Sequence, residues 1–208
     1  MSYTNDQISV MDSIIARYPR KRSAIMPLLH YVQSIEGYLT NEGIELIGKK
    51  LELATAEVTA VSTFYTQYKS KPVGEYHVGI CTNTLCAVMG GDVIFDAVKE
   101  HLGIENNGVT SDGKVSVEHI ECNAACDYAP VVMVNWEFYD NQTVESVKNL
   151  VDGARSGNPP TPTRGPKTLR TWKQNSAVLA GISDGLSGEG VQAGAPTLLG
   201  LKKAKGGA

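Results

Sequence analysis

Four cysteines are the residues of this chain best suited to chemistry: Cys81, Cys86, Cys122 and Cys126. Four residues separate the first two, 35 lie in the interval, and three separate the last two. Thiolates are soft ligands that suit zinc and iron–sulfur clusters, and four of them complete either site. Structural zinc sites favour tight knuckles with about two to four residues between ligands. The wider first loop resembles the C-x4-C opening of plant-type [2Fe–2S] proteins. Two irons need two separated ligand pairs, which the two loops supply. The spacing therefore points to a [2Fe–2S] cluster that takes all four cysteines, with a zinc-stabilised interaction module as the alternative. A dithiol oxidoreductase would call for C-x-x-C, which is absent.

The loops agree with this reading. Thr82, Asn83, Thr84 and Leu85 in the first, and Asn123, Ala124 and Ala125 in the second, are small or uncharged. Backbone N–H groups can approach sulfur there, and no carboxylate between the cysteines offers a competing hard ligand.

The elements that must position these loops follow from periodicity. Residues 71–155 read as one small α/β domain. Tyr76, Val78 and Ile80 alternate with His77 and Gly79 in a strand running into Cys81. Gly90–Leu102 has helical spacing, with Val93, Ile94, Ala97 and Val98 inward. Val115, Val117 and Ile120 predict a second strand ending at Cys122, Pro130–Phe138 a third, and Val144–Ala154 a helix. Both cysteine pairs thus follow strands, at one end of a sheet.

Residues 1–70 read as a helical bundle. Asn5 or Asp6 caps a helix through Tyr18, stopped by Pro19. A second begins near Ser23, carries Pro27 in its first turn and buries Leu28, Leu29, Val32 and Ile35 before Gly37. Further helices are expected near Asn41–Lys50 and Ala54–Gln67. Residues 156–208 form a Pro/Gly-rich C-terminal extension. It opens on Asn158-Pro159-Pro160-Thr161-Pro162, and Leu169–Leu179 with Trp172 is able to dock as a short helix. The overall class is α/β, or α+β with the helical bundle included.

Composition narrows the function classes. The chain is 42% hydrophobic with a net charge of −3, which argues against electrostatic binding to nucleic acid or anionic lipid. No stretch approaches the ~20 apolar residues of a membrane span, and the polar start at Met1–Asp6 lacks a secretory pattern. A cytoplasmic location is the expectation, and reduced cysteines go with it. No G-x-G-x-x-G follows a strand, and Gly90-Gly91 is expected to allow tight packing at a helix start.

Longer motifs carry a family resemblance: Tyr18-Pro19, Ser23-Ala24-Ile25-Met26-Pro27-Leu28-Leu29, Gln33 with Gly37-Tyr38-Leu39, and Val58-Thr59-Ala60-Val61-Ser62-Thr63-Phe64-Tyr65-Thr66. They continue in Cys81-Thr82-Asn83-Thr84-Leu85-Cys86 and in Glu121-Cys122-Asn123-Ala124-Ala125-Cys126-Asp127-Tyr128-Ala129-Pro130. Over most of residues 5–155 the chain resembles the thioredoxin-like [2Fe–2S] subunit of NADH:quinone oxidoreductase (respiratory complex I), the E subunit of the bacterial enzyme. The resemblance implies a helical bundle followed by a thioredoxin-like [2Fe–2S] ferredoxin domain. It also implies packing against the flavin- and NADH-binding subunit and other peripheral-arm subunits, on the cytoplasmic side of the cell membrane. The cluster would exchange electrons with that partner's flavin, off the main chain of clusters, and this chain needs no catalytic residue of its own. The equivalent subunit of an NAD-linked hydrogenase or formate dehydrogenase is the neighbouring reading. A potential near about −400 mV goes with four-thiolate ligation. Pro130, opening the strand after Cys126, is expected to follow a cis peptide as in thioredoxin-like folds. One departure stands out: the family more often has Leu-Gly where this chain has Asn123-Ala124. Alanine lacks glycine's freedom at positive φ, so the second loop is expected to differ in shape.

Other residues take plainer readings. His30, His77, His101 and His119 are scattered, and His119 near Cys122 is read as a strand or surface residue rather than a mixed ligand. Phe64, Tyr65 and Tyr68 read as an aromatic packing stripe, and Arg17, Arg20, Lys21 and Arg22 as a solvated helix junction.

Overall fold

The computed structural model describes residues 3–206, which form two compact units. The first comprises residues up to Val73 together with Arg170–Asp184, and the second comprises Gly74–Leu169 together with Gly185 onward.

The first unit is helical. Helix α1 spans Asn5–Ile15, α2 Ile25–Glu36, α3 Asn41–Leu51 and α4 Thr55–Phe64. Apolar residues at helical spacing bury Met11, Ile14, Leu28, Leu29, Val32, Ile47 and Val58 in one core. The first helix is capped one residue earlier than expected. Thr4 and Gln7 make a reciprocal capping box, a T-x-x-Q signal visible in the sequence. Lys21–Ala24 is a turn of 3-10 helix ahead of α2, and Gly37 ends α2 at φ 90°. The aromatic stripe divides. Tyr68 is buried, whereas Phe64 is 77% exposed because α4 ends there and turns it outward. Lys21 and Arg22 pair with Glu52 and Glu57, so those two cations are partnered.

Arg170–Asp184 contributes α8, Trp172–Leu179, which packs along α2. Thr171 caps it through Gln174. Trp172 is 3% exposed and donates its Nε1–H to Gly37 O at 2.7 Å. Gln33, fully buried in α2, donates to Gln67 O and Ser176 Oγ and accepts from Lys69 N.

The second unit is a five-stranded sheet in the order β2-β3-β1-β4-β5. Its strands are β1 Tyr76–Cys81, β2 Gly108–Val109, β3 Val115–Ile120, β4 Val132–Val134 and β5 Glu137–Tyr139. The central pair β1–β3 is parallel; β1–β4, β2–β3 and β4–β5 are antiparallel. Between β1 and β2 lie α5, Thr84–Val88, and α6, Gly91–Leu102; α7, Val144–Arg155, follows β5. One face of the sheet presents Tyr76, Val78, Ile80, Val115, Val117, Val132 and Val134 to α6 and α7. Their spacing of two along each strand is what places them on that one face.

Three local expectations change. The single strand expected over Pro130–Phe138 is a hairpin, because Asn135 and Trp136 take φ 50° and 68° in a two-residue turn. Asn135 fixes that turn by accepting from His77 N and donating to Glu75 O. Val93 is 63% exposed rather than inward, since the buried stripe of α6 runs through Gly91, Ile94 and Val98. The first cysteine loop holds the short helix α5 rather than irregular chain. The Ala129–Pro130 peptide is cis, as expected. Helix α9, Ala195–Ala204, lies near the end of the chain. No described helix is long and apolar enough to cross a membrane.

Candidate metal centre

Parallel pairing of β1 with β3 aligns Cys81 with Ile120, so the two chains leave the sheet at the same end. Cys81 is the last residue of β1 and its N–H bonds Val131 O at 3.1 Å. Asn83 then caps α5 by accepting from Thr84 N at 3.0 Å, and its Nδ2 donates to Glu121 Oε2 at 2.6 Å. One side chain thus shapes the first loop and ties it to the second. Cys86 lies inside α5 and is as buried as Cys81, both at 2% exposure.

Gly91 makes this arrangement possible. A Cβ there would lie 2.4 Å from Cys81 O and 2.9 Å from Cys86 O. The first turn of α6 therefore rests directly on the backbone of both cysteines, and the tight packing expected of the glycine pair belongs to Gly91.

The second pair sits in an open loop. Cys122 and Cys126 are exposed, with their sulfurs 3.5 Å apart. Ala124 N donates to Cys122 Sγ at 3.3 Å. It does so from φ 54°, the left-handed conformation that glycine would adopt without strain. The departure from Leu-Gly thus leaves an alanine holding a glycine-like backbone. Ala124→Gly should relieve about 1–2 kcal/mol of left-handed strain, against about 0.4–1 kcal/mol from glycine's freer unfolded chain. We expect a net stabilisation of up to about 1.5 kcal/mol in denaturant unfolding; a destabilised variant would contradict this account.

Burial pushes the Cys81 thiol up to about 11, the neighbouring thiols Cys86 and Cys122 add to it, and the Asn83 backbone opposes it. The Cys126 thiol is raised chiefly by its hydrogen bond with Cys122. Without metal, Cys81 therefore stays protonated at neutral pH, and ligation would displace its proton. In the metal-free chain at pH 8, iodoacetamide should modify the exposed Cys122 and Cys126 well before Cys81. Cys81 should become reactive only as pH rises toward its raised pKa. Peptide mass mapping over time checks the order, and equal rates at all four would refute it.

The donor set fits a two-iron cluster. It is thiols alone, in two pairs, one pair per loop at one sheet end. A two-iron cluster would be held by the two pairs together. His119 lies edge-on to Phe95 at 6.1 Å, His77 bonds Ser116 and Glu118, and His101 bonds Asp152. His30 is buried against Tyr68 and its pKa is lowered to about 4 by that burial. Gly91, Asn83 and Glu121 are the site residues the cysteine motif alone did not single out; a glycine following a left-handed glycine at a helix start was the available signal.

Residues 11–155 match the family model described as thioredoxin-like [2Fe–2S] ferredoxin. The E subunit of NADH-quinone oxidoreductase from Mycobacterium tuberculosis is 56% identical over 98% of this chain and 82% of its own length. The E subunit from Rickettsia bellii is 40% identical over 74% of this chain and 95% of its own. NADH-quinone oxidoreductase subunit 2 of Thermus thermophilus is 37% identical over 76% and 88%. Among solved structures, an air-oxidised NAD+-reducing [NiFe]-hydrogenase superposes with a TM-score of 0.57 at 17% identity, over 65% of this chain. That match spans 23% of the longer hydrogenase chain and shows a shared fold. With its sheet, its paired cysteine loops and this match over most of its length, the chain belongs to the thioredoxin-like [2Fe–2S] ferredoxin family, and a [2Fe–2S] cluster is its cofactor.

Proposed function

We propose that this chain is an electron-transfer subunit of NADH:quinone oxidoreductase, with Cys81, Cys86, Cys122 and Cys126 holding the cluster. It exchanges single electrons with the flavin of a partner NADH-binding subunit on the cytoplasmic side of the membrane. The observation that carries the ligand assignment is the emergence of both cysteine pairs from one end of the β1–β3 pair. The partner assignment rests on the 56% identical relatives, which are E subunits of that complex. The bound cluster supplies one-electron redox chemistry at low potential.

The chain's own residues do the rest. Cys81 and Cys86, packed with Ile120, Ala125, Val131 and Met133, keep water from one side of the site. The exposed second pair leaves the other side open to a partner. Ala124 N–H, directed at Cys122 Sγ, stabilises negative charge on that sulfur, which grows on reduction. No substrate need enter the chain.

Affinity purification of the tagged chain from its native membrane, followed by EPR after dithionite reduction, tests both parts. The expected result is a [2Fe–2S] signal that Cys86→Ser removes or shifts, in a complex containing a flavoprotein and NADH dehydrogenase activity. Recovery with a hydrogenase or formate dehydrogenase instead would reassign the partner. Stoichiometric zinc without acid-labile sulfide would overturn the reading altogether.

A further inference from the structure

The matched family region ends at residue 155, yet the chain continues for a quarter of its length and returns to the second cysteine loop. We propose that Arg164 and the segment from Val191 to Thr197 form a strap that positions the Cys122–Cys126 loop. Arg164 is the positioning residue at its base. The proposal rests on the reading that Cys122 and Cys126 are ligands.

Three contacts build the strap. The Arg164 guanidinium makes a forked pair with Asp140, both bonds at 2.9 Å, with the Asp140 side chain only 6% exposed. It lies over the Phe138 ring at 4.1 Å and the Tyr128 ring at 5.0 Å. Tyr128 closes the 3-10 turn that begins at Cys126, so the clamp acts two residues from a cysteine. A rigid fork combined with ring stacking is specific to arginine.

Next to the clamp, the end of the chain is threaded tightly. Gly165 N donates to Val191 O at 2.9 Å, and a Cβ on Gly190 would lie 1.9 Å from Gly165 O. A Cβ on Gly194 would lie 2.0 Å from the Tyr128 hydroxyl oxygen, which is buried. Thr197 Oγ1 reaches Asp127 Oδ2 at 3.5 Å, a long contact that extends the path over the loop. Asp127, Tyr128 and Gly165 thus meet one continuous segment, and Arg164 holds Tyr128 beside it. That segment packs on the Asp127–Tyr128 end of a loop whose two cysteines stay exposed and whose backbone holds a left-handed alanine.

The relatives fall in line with an accessory element. Similarity to the Mycobacterium tuberculosis protein runs over 98% of this chain, whereas that to the Rickettsia bellii and Thermus thermophilus proteins covers 74% and 76%.

The test uses the full-length holoprotein and two variants that loosen the strap by different means. Arg164→Ala removes the clamp, and Gly194→Ala drives the strap off Tyr128 without touching it. Arg155→Ala, which breaks the surface pair with Asp112, controls for general loss of stability. Chelator-driven bleaching of the cluster should run about tenfold faster in both strap variants, the scale expected from losing a charge-assisted contact, and at the wild-type rate in the control. Their EPR line shape should broaden, and Arg164→Lys should fall between Ala and wild type. In the metal-free protein, amide exchange over residues 123–129 should rise in the same two variants. Wild-type bleaching and exchange in both, or equal acceleration in the Arg155 control, would overturn the strap. A wild type that binds no cluster would instead overturn the ligand assignment, while the exchange measurement still reads the strap.

Discussion

Gly91→Ala is expected to yield a folded protein that retains little or no cluster. By intrinsic propensity the change should help, since alanine favours a helix over glycine by about 1 kcal/mol. Packing reverses the sign. The added methyl would stand 2.4 Å from Cys81 O, 2.9 Å from Cys86 O and 3.0 Å from Cys86 C. These are backbone atoms and cannot swing aside as a side-chain tip would. Either α6 lifts from the loop or the loop moves, at about 1–3 kcal/mol or more for overpacking. Both routes displace Cys86 relative to Cys81, and a ligand set tolerates little displacement. Iron and acid-labile sulfide per chain, with visible absorption, measure the outcome. Gly103→Ala serves as the comparison: Gly103 ends the same helix at φ 65° with open space around it. It should lose about 1 kcal/mol to left-handed strain and keep its cluster. Full cluster content in Gly91→Ala would remove Gly91 from the site.

The same glycine shows how far the sequence could be read. The cysteine pairs and the strand before each were legible because a period of two and a ligand spacing are local patterns. That the loops meet also followed, since both leave strands in one α/β domain. What Gly91 touches was hidden, because its partners are carbonyls that no residue letter reveals. The hairpin at Asn135-Trp136 escaped for a related reason. Its turn lacks the Asn-Gly signature, and the bonds from Asn135 to His77 and Glu75 make up for it from 58 and 60 residues away. Ala124 was identified as the position where glycine's freedom matters. Only the structure shows that alanine takes the left-handed conformation there, with its N–H on Cys122. Long-range contacts of the C-terminal extension were the least legible of all. Gly- and Pro-rich chain carries no periodicity, so Arg164 and Gly194 gave no sign of the ring stack and close approach they make.

The second large effect is expected in the part of the extension that was legible, the Trp172 segment read as a docking short helix, which α8 is. Trp172→Ala should destabilise the helical unit by about 3–5 kcal/mol, the range for removing a buried large aromatic. Trp172 is 3% exposed and its indole N–H donates to Gly37 O at 2.7 Å, so truncation leaves both a cavity and an unmade hydrogen bond. Gly37 already holds φ 90° as the C-cap of α2. Neighbouring bonds amplify the loss. Gln33 binds Ser176 in α8, Lys173 Nζ donates to Ile35 O, and buried Arg170 forks onto Asp184. Removing the anchor loosens α8 against α2 and so exposes Gln33, whose amide also fixes the chain at Gln67 and Lys69. Guanidinium unfolding followed by far-ultraviolet circular dichroism should show the helical unit melting at markedly lower denaturant. Cluster absorption, reporting on the other unit, should persist to near its wild-type midpoint. A shift below about 1 kcal/mol, the level of an ordinary surface substitution, would mean that α8 is an appendage. A large shift shared by the cluster would mean that the two units unfold as one.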